Sequence, residues 1–300
     1  MNDRQRSDPR SFMMLISAMF IYGTIGVFRR YIPLSSGALA LLRGVIGSVF
    51  LLCLILAKKK KVLPRADKKA IALLIISGGL IGFNWIFLFE SYNHTTVATA
   101  TLCYYLEPSI VMLVSPLFFR EKLTVKKLVC VAVSFAGMIL VSGIVGQELP
   151  SLSELKGILF GITAAVMYSS VVILNKKLGG IEPFSKTFVQ LASAAVVILP
   201  YVLIAEDITA IPTDARSLVL IALLGVVHTG IAYALYFGSI PGLRAQTTAI
   251  FSYVDPVTAL FLSFFFLHEK VTVPGIIGAV MMIGSAVFSV IEKDKKVDLC

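Results

Sequence analysis

The stretch CYYLEPSIVM, residues 103–112, places a glutamate and a proline side by side in the middle of a long apolar run. Proline lacks a backbone donor, so Pro108 leaves the carbonyl near Tyr104 without its helical partner. An ionisable side chain within the hydrocarbon layer is costly and normally faces an interior pathway. Glu107 and Pro108 therefore indicate a helix that is loosened at membrane depth, beside protein or a water-filled cavity.

A second stretch repeats this arrangement in the other half of the chain. Residues 250–259 read IFSYVDPVTA, with Asp255 directly before Pro256. By the same argument, Pro256 leaves the carbonyl near Ser252 without its helical partner. The two stretches predict two loosened helices, and Glu107 and Asp255 are both expected near the membrane midplane.

The composition indicates an integral membrane protein. Hydrophobic residues make up 57% of the 300 residues and charged residues 15%, against about 25% charged residues in soluble domains. The net charge of +10 would suit nucleic acid, but the basic residues lie in short clusters between apolar runs, as membrane topology signals do. We expect no nucleic-acid partner. The four cysteines have neither disulfide nor metal spacing, and we expect no metal and no cofactor.

Ten apolar segments are candidates for membrane spans. A helix that crosses a hydrocarbon layer of roughly 30 Å needs about 20 apolar residues. The candidates are residues 11–29, 37–57, 69–91, 95–119, 125–145, 155–175, 185–205, 217–238, 245–267 and 273–291. Backbone groups in lipid must be satisfied within their own segment, and the alternating pattern of a barrel strand is absent. The sequence therefore predicts an all-α integral membrane protein with ten transmembrane helices.

The distribution of lysine and arginine predicts the orientation in the membrane. With the N-terminus inside, the inner segments hold 21 of the 27 basic residues and the outer segments hold 5. Both termini of this multi-pass protein of the cell membrane are therefore expected in the cytoplasm. In the lipid bilayer we expect a monomer or a homodimer. Arg43 lies within a span, where it can snorkel outward or neutralise an acid.

An internal repeat divides the chain into two halves. Shifted by 148 residues, the segment 104–125 matches the segment 252–273 at eight positions. Five helices in each half, an odd number, place the second half upside down in the membrane, a common plan among transporters. Residues 1–147 and 148–300 are therefore predicted to form two inverted five-helix repeats of one bundle.

The repeated motif resembles that of the EamA-type drug/metabolite transporters. It reads EPSIVMLVSPLFFREKLTVKKLVCVAVSFAGMIL in the first half and DPVTALFLSFFFLHEKVTVPGIIGAVMMIGSAVF in the second. The resemblance covers almost the whole chain and implies a ten-helix exporter of small metabolites, often amino acids. The acid before each proline is not a general feature of that family, so Glu107 and Asp255 are expected to serve this protein's particular task. Glu121 and Glu269 end their spans and are expected to make helix-end and loop contacts.

The candidate site consists of ten residues within the spans. Glu107 and Asp255 are candidates for binding the substrate or a proton, and Pro108 and Pro256 are candidates for hinges. The other candidates are polar or aromatic side chains: Asn84, Trp85, Tyr105, Tyr168, His228 and Tyr253. Two alternatives stay open. Each acid can be a neutral, hydrogen-bonded packing residue beside a kink, and the Asn and His side chains can bridge helices.

These features predict a secondary active transporter, and more specifically an exporter of amino acids or related amines. Its site would lie near the midplane between the repeats, and a carboxyl that changes protonation can couple transport to protons. A channel or facilitator for small solutes is the alternative, although a channel would favour rings of like groups in a symmetric oligomer. A membrane enzyme is less favoured, because the sequence has no Walker, HExxH, GxSxG or GxGxxG motif.

Overall fold

The computed structural model consists of packed helices in the part of the chain that it describes, which comprises residues 8–63, 66–119, 124–141, 150–178, 181–206, 212, 214–239, 243, 251–270 and 272–290. In chain order the helices are α1 (Pro9–Arg30), α2 (Ser36–Ala57), α3 (Lys68–His94), α4 (Val97–Tyr104), α5 (Glu107–Phe119), α6 (Val125–Val141), α7 (Leu152–Lys177), α8 (Pro183–Ala205), α9 (Ala215–Leu223), α10 (Ala232–Ser239), α11 (Val254–Leu267) and α12 (Val273–Val290). A π-helical segment, Leu224–Ile231, joins α9 to α10. The described residues contain no strand, so the predicted all-α class is confirmed.

Seven helical stretches are long and apolar enough to cross a membrane: α1, α2, α3, α4 with α5, α7, α8, and α9 with α10. The helices α11 and α12 are apolar but shorter, and α6 has 17 residues. The ends of the fifth and ninth predicted spans, residues 142–145 and 245–250, lie outside the described residues. The helical membrane class is therefore supported, and the count of ten spans stays a prediction.

Helix starts outside the apolar layer are fixed by polar caps. At the start of α7, Ser151 and Glu154 form a complete capping box, which satisfies backbone donors that have no helical partner. At the start of α8, Glu182 accepts from Ser185 N at 2.8 Å and pairs with Lys60 Nζ at 2.7 Å. Burial alone would raise the pKa of Glu182, but the hydrogen bonds from Lys60 and Ser185 outweigh it and hold that pKa below its ordinary value.

Large apolar side chains cover the outside of the bundle. Leu117 is 81% exposed, Ile204 is 87% exposed and Phe266 is 62% exposed. An exterior this rich in large apolar side chains is typical of a surface that contacts lipid or another protein rather than water. The exterior therefore agrees with the apolar spans that the sequence predicts.

The second helices of the two halves, α2 and α8, pack antiparallel to one another. The Glu206 carboxylate, at the end of α8, accepts from Gly37 N at 3.0 Å and from Ala38 N at 2.7 Å in the first turn of α2. At the opposite end of the pair, Lys60 follows α2 and bonds Glu182 at the start of α8. Contacts at both ends therefore fix the direction and the register of the two helices.

The fifth helices of the two halves, α6 and α12, are also antiparallel. Ser134 Oγ and Ser285 Oγ are 2.7 Å apart, and a Cβ atom on Gly137 would lie only 2.6 Å from the carbonyl oxygen of Gly278. The two backbones come this close because neither glycine carries a side chain, as in other membrane helix pairs built on small residues.

The fourth predicted span is broken into two helices rather than kinked. Helix α4 ends at Tyr104 and α5 begins at Glu107, with Leu106 N donating to Cys103 O at 3.2 Å in the turn between them. In the second half α11 begins after a matching turn, where Asp255 N donates to Ser252 O at 3.3 Å. The Ser252 carbonyl, which was expected to lack its helical partner, thus accepts from a nearer backbone donor.

The first helix of each half packs against the start of α5 or α11 in the other half. A Cβ atom on Gly23 of α1 would lie 2.6 Å from the carbonyl oxygen of Asp255. In the corresponding place, Ser169 Oγ of α7 donates to the carbonyl oxygen of Glu107 at 3.2 Å. The backbones that carry the two acids are therefore held by equivalent helices, each contributed by the opposite half.

Candidate functional site

A cavity of about 640 Å³ lies between the two halves of the bundle, within the range of roughly 300–1,000 Å³ that holds small ligands. Both halves supply its walls, including α1, α2, α3, both parts of the broken fourth span, α7, α10 and α11. The polar and aromatic residues of the wall are Tyr22, Arg43, Trp85, Tyr92, Thr101, Tyr104, Tyr105, Glu107, Tyr168, Tyr233, Tyr236, Phe237, Ser252, Tyr253, Asp255 and Ser289.

The two midspan acids line this cavity together. Glu107 is the first residue of α5 and Asp255 lies in the first turn of α11, so each carboxyl stands at the start of a helix. The positive end of a helix dipole favours negative charge at that position. The side chain of Tyr105 lies within reach of the Asp255 carboxyl. The breaks that the prolines impose thus bring both acids and their helix N-termini to one space.

Tyrosine rings form much of the remaining wall. The candidate residues Tyr105, Tyr168 and Tyr253 all line the cavity, and the rings of Tyr105 and Tyr253 are tilted against each other with centroids 6.1 Å apart. Tyr104 lies 5.7 Å from Tyr168 and 6.0 Å from Tyr105, measured between ring centroids. Such rings offer both an apolar face and a hydroxyl group to a ligand. A solute in this cavity would therefore meet aromatic faces as well as charged groups.

The remaining sequence candidates separate into two groups. Trp85 and Pro108 line the cavity, whereas Pro256 is buried beside it. Asn84 and His228 lie away from the lining. Asn84 Nδ2 donates to Ala164 O of α7 at 2.6 Å.

His228 is likewise a bridge between helices. Its Nε2 is 2.7 Å from Thr24 Oγ1 of α1, and its Nδ1 is 3.3 Å from Leu223 O. Its ring also packs edge-on against Phe28, with centroids 4.9 Å apart. Of the two roles left open for Asn84 and His228, cavity lining and bridging between helices, the structure shows the bridging contacts.

Arg43 of α2 is a charged residue of the cavity wall that was not among the ten site candidates from the sequence. Its side chain is 3% exposed, and its Nε donates to Thr229 Oγ1 of the π-helical segment at 3.0 Å. The guanidinium carbon lies 4.3 Å from the centroid of the Trp85 ring and 5.4 Å from that of Phe89. It neither snorkels outward nor forms an ion pair with an acid in the described part of the chain. An arginine inside a span is itself the signal that could have found it.

These contacts offset the cost of burying the Arg43 charge without the help of an anionic partner. Removing an ion from water costs several kcal/mol even after the protein relaxes. A desolvated cation–π contact returns about 2 kcal/mol, and a hydrogen bond to a charged group about 1.5–3 kcal/mol. Arg43 is a buried cation of the cavity wall that has no acidic partner in the described part of the chain.

Glu269 joins the segment after α11 to the start of α4. Its carboxylate accepts from Val97 N at 2.8 Å and from Ala98 N at 3.2 Å, in the first turn of α4. It also pairs with Arg30 at 3.5 Å and bonds Ser263 Oγ. These are the helix-end contacts that were expected for this residue, whereas Glu121 lies outside the described residues.

Metal binding finds no support in the described part of the chain. No group of three or more His, Cys, Asp or Glu side chains there is arranged to hold an ion. The polar groups of the described cavity wall are two carboxyl groups, one guanidinium, one indole N–H, and the hydroxyl groups of tyrosine, serine and threonine.

Comparison with known proteins identifies the same architecture twice in this chain. The EamA-like transporter family model matches residues 10–143 and again residues 155–291. An uncharacterized transporter of Bacillus subtilis (strain 168), YxxF, is 28% identical over 287 residues, covering 95% of this chain and 91% of the relative. Protein RarD of Salmonella typhi is 25% identical over 270 residues, covering 88% and 87%. Protein PecM of Dickeya dadantii (strain 3937) is 26% identical over 235 residues, covering 75% and 76%.

The fold also matches an experimental structure. A chain described only as "Crystal structure of protein" superposes with a TM-score of 0.68 at 20% identity, covering 93% of this chain and 95% of that one. At this identity the match concerns the fold alone. The matched family is a transporter family, and YxxF is named a transporter.

Proposed function

Because the chain belongs to the EamA-like transporter family, within the drug/metabolite transporter superfamily, we propose that it is a secondary active exporter in the cytoplasmic membrane. Its substrates are small metabolites such as amino acids or related amines. The observation that carries the proposal is the cavity between the halves, which Glu107 and Asp255 both line from the first turns of α5 and α11. Discontinuous helices that meet at the midplane form the sites of many secondary transporters.

The antiparallel packing of equivalent helices supports an inverted repeat. The second helices, α2 and α8, run antiparallel, as do the fifth helices, α6 and α12. The first helix of each half holds the backbone of the acid in the other half, through Gly23 and through Ser169. A two-fold axis that exchanges the two halves would place an equivalent helix in each of these positions. The two halves can then exchange conformations during transport, and this exchange opens the same site to either side of the membrane.

The orientation is testable through two lysines at equivalent helix ends, Lys126 and Lys270. In the proposed topology the first lies on the cytoplasmic side and the second on the external side. Single cysteines at these positions, in a chain without its other cysteines, should react with impermeant reagents from opposite sides of the membrane. Reaction of both from the same side contradicts the inverted repeat.

We assign the coupling of transport to protons to the two cavity acids. A carboxyl that is charged in one orientation and neutral in the other carries a proton across with each cycle. Each proton that crosses a potential of 100 mV contributes about 2.3 kcal/mol. That free energy is sufficient to bias export against a moderate gradient of the solute.

Reconstituted protein in liposomes tests the proposal. We expect saturable uptake with counterflow, and acceleration by a proton gradient. Glu107→Gln or Asp255→Asn should abolish gradient-driven transport but keep solute exchange if that carboxyl carries the proton. Exchange fails as well if the carboxyl binds the solute. Glu154→Gln is the matched control, because Glu154 caps α7 away from the cavity and glutamine can keep the capping box.

The same assay separates the competing function classes. Flux without saturation or counterflow would indicate a channel or facilitator. Chemical change of the solute, detected by product analysis, would indicate an enzyme. Wild-type transport and pH dependence in the double acid variant would remove both acids from the mechanism.

A further inference from the structure

The surroundings of Arg43 distinguish it from an arginine that merely packs. Its Nε is used in the hydrogen bond to Thr229, and Thr229 Oγ1 in turn donates to Leu224 O at 3.0 Å within the π-helical segment. The guanidinium plane is supported by Trp85. Within the described part of the chain its two Nη atoms have no hydrogen-bond acceptor, and Arg43 belongs to the cavity wall. The donor groups of a buried cation are thus presented to the cavity.

Arg29 provides an internal comparison on the neighbouring helix α1. It is also buried, at 5% exposure, and lies 5.9 Å from the ring of Phe89. Unlike Arg43, it directs its Nη groups to protein acceptors, Ile32 O at 3.0 Å and Ser36 Oγ at 3.4 Å, and it does not line the cavity. Arg29 therefore binds the turn that follows α1, whereas the two Nη groups of Arg43 remain available to a ligand in the cavity.

We propose that Arg43 binds the carboxylate of the transported solute, so that the site selects zwitterionic amino acids over amines of the same shape. This rests on the proposed function and narrows its substrate class. The planar guanidinium matches a carboxylate with two parallel hydrogen bonds, which an amide or a bare amine cannot reproduce. The ammonium group then lies toward Glu107 and Asp255, and the tyrosine rings between these poles contact the side chain of the solute.

Trp85 makes this contact directly measurable. It is the one tryptophan in the sequence, and it stacks on the Arg43 guanidinium. A carboxylate that binds Arg43 changes the charge next to the indole ring, so intrinsic fluorescence reports occupancy without a label. The probes are the amino acids other than tyrosine and tryptophan, each compared with its primary amide and its decarboxylated amine.

For wild-type protein we expect at least one amino acid to bind about tenfold or more tightly than its amide and its amine. Arg43→Gln should reduce this ratio to about two or less. Arg43→Lys keeps a charge without the fork and should retain part of the ratio. Arg29→Gln is the matched control and should leave the ratio unchanged, even where it lowers thermal stability.

Two results would overturn the inference. One is an amide or amine that binds wild-type protein as tightly as the amino acid, and the other is a ratio that Arg43→Gln leaves intact. The wild-type ratio decides the matter even if a variant fails to fold. Saturable transport of amines that is insensitive to Arg43→Gln would refute this inference and keep the proposed function. Absence of saturable transport for every probe would refute both.

Discussion

The contact between Glu269 and the start of α4 predicts how one end of the bundle is held shut. The carboxylate belongs to the segment after α11, and it accepts from the backbone of Val97 and Ala98. Its side chain is 11% exposed, so water replaces these contacts poorly. Replacing Glu269 by alanine removes both acceptors and also the pairing with Arg30.

The magnitude follows from these contacts. Hydrogen bonds to charged groups stabilise by about 1.5–3 kcal/mol each, and loss of a helix N-cap costs about 0.5–2 kcal/mol. Part of the loss is recovered by solvent once this end opens. A net change of about 2–3 kcal/mol in the free energy of closure is expected, which is roughly a 30- to 150-fold shift toward the open form.

Thiol labelling measures this shift. A single cysteine in place of Thr101, which lines the cavity, should react faster with an impermeant reagent when Glu269→Ala is also present. The reagent is added from the side of the membrane at which Glu269 lies. Glu154→Ala, a cap removed from the start of α7, is the control and should leave the labelling rate unchanged. Equal rates with and without Glu269 would refute the reasoning, because closure would then depend on other contacts.

Three further outcomes are expected. Gly137→Ala should lower the free energy of unfolding by about 1–3 kcal/mol, because its Cβ would meet the Gly278 carbonyl at 2.6 Å, whereas Gly284→Ala, with nothing within 4 Å, should be neutral or stabilising in the same thermal assay. The pKa of Glu182 is lower in the folded protein than its ordinary value of 4.5. Its contribution to the free energy of unfolding is therefore fully present above pH 4.5 and is lost as the pH falls through the folded pKa. On acidification below that pKa, the free energy of unfolding of wild-type protein should therefore fall by up to about 1 kcal/mol more than that of Glu182→Gln, as measured in paired melting curves. Pro108→Ala should slow transport more than it weakens binding, and unchanged transport would remove this proline from the mechanism.

The sequence by itself determined where the chain crosses an apolar layer and where one span is interrupted. Long apolar runs admit only helices in lipid, because every backbone group must be satisfied within its segment. Pro108 has no donor to give to the preceding turn, and α4 does end at Tyr104. The repeated motif predicted the family, and the match to residues 10–143 and 155–291 confirms it.

Only the tertiary structure decided which polar side chains meet in the cavity. Asn84 and Trp85 are adjacent in sequence, yet one bonds α7 and the other lines the cavity, since successive residues on a helix point about 100° apart. In a soluble helix the polar face would reveal this direction, but these helices are apolar on nearly all sides. Arg43 faces the cavity rather than the lipid because Thr229 and Trp85, distant in sequence, hold its side chain there. Those contacts depend on how α2, α3 and the π-helical segment pack, which no local pattern in the sequence specifies.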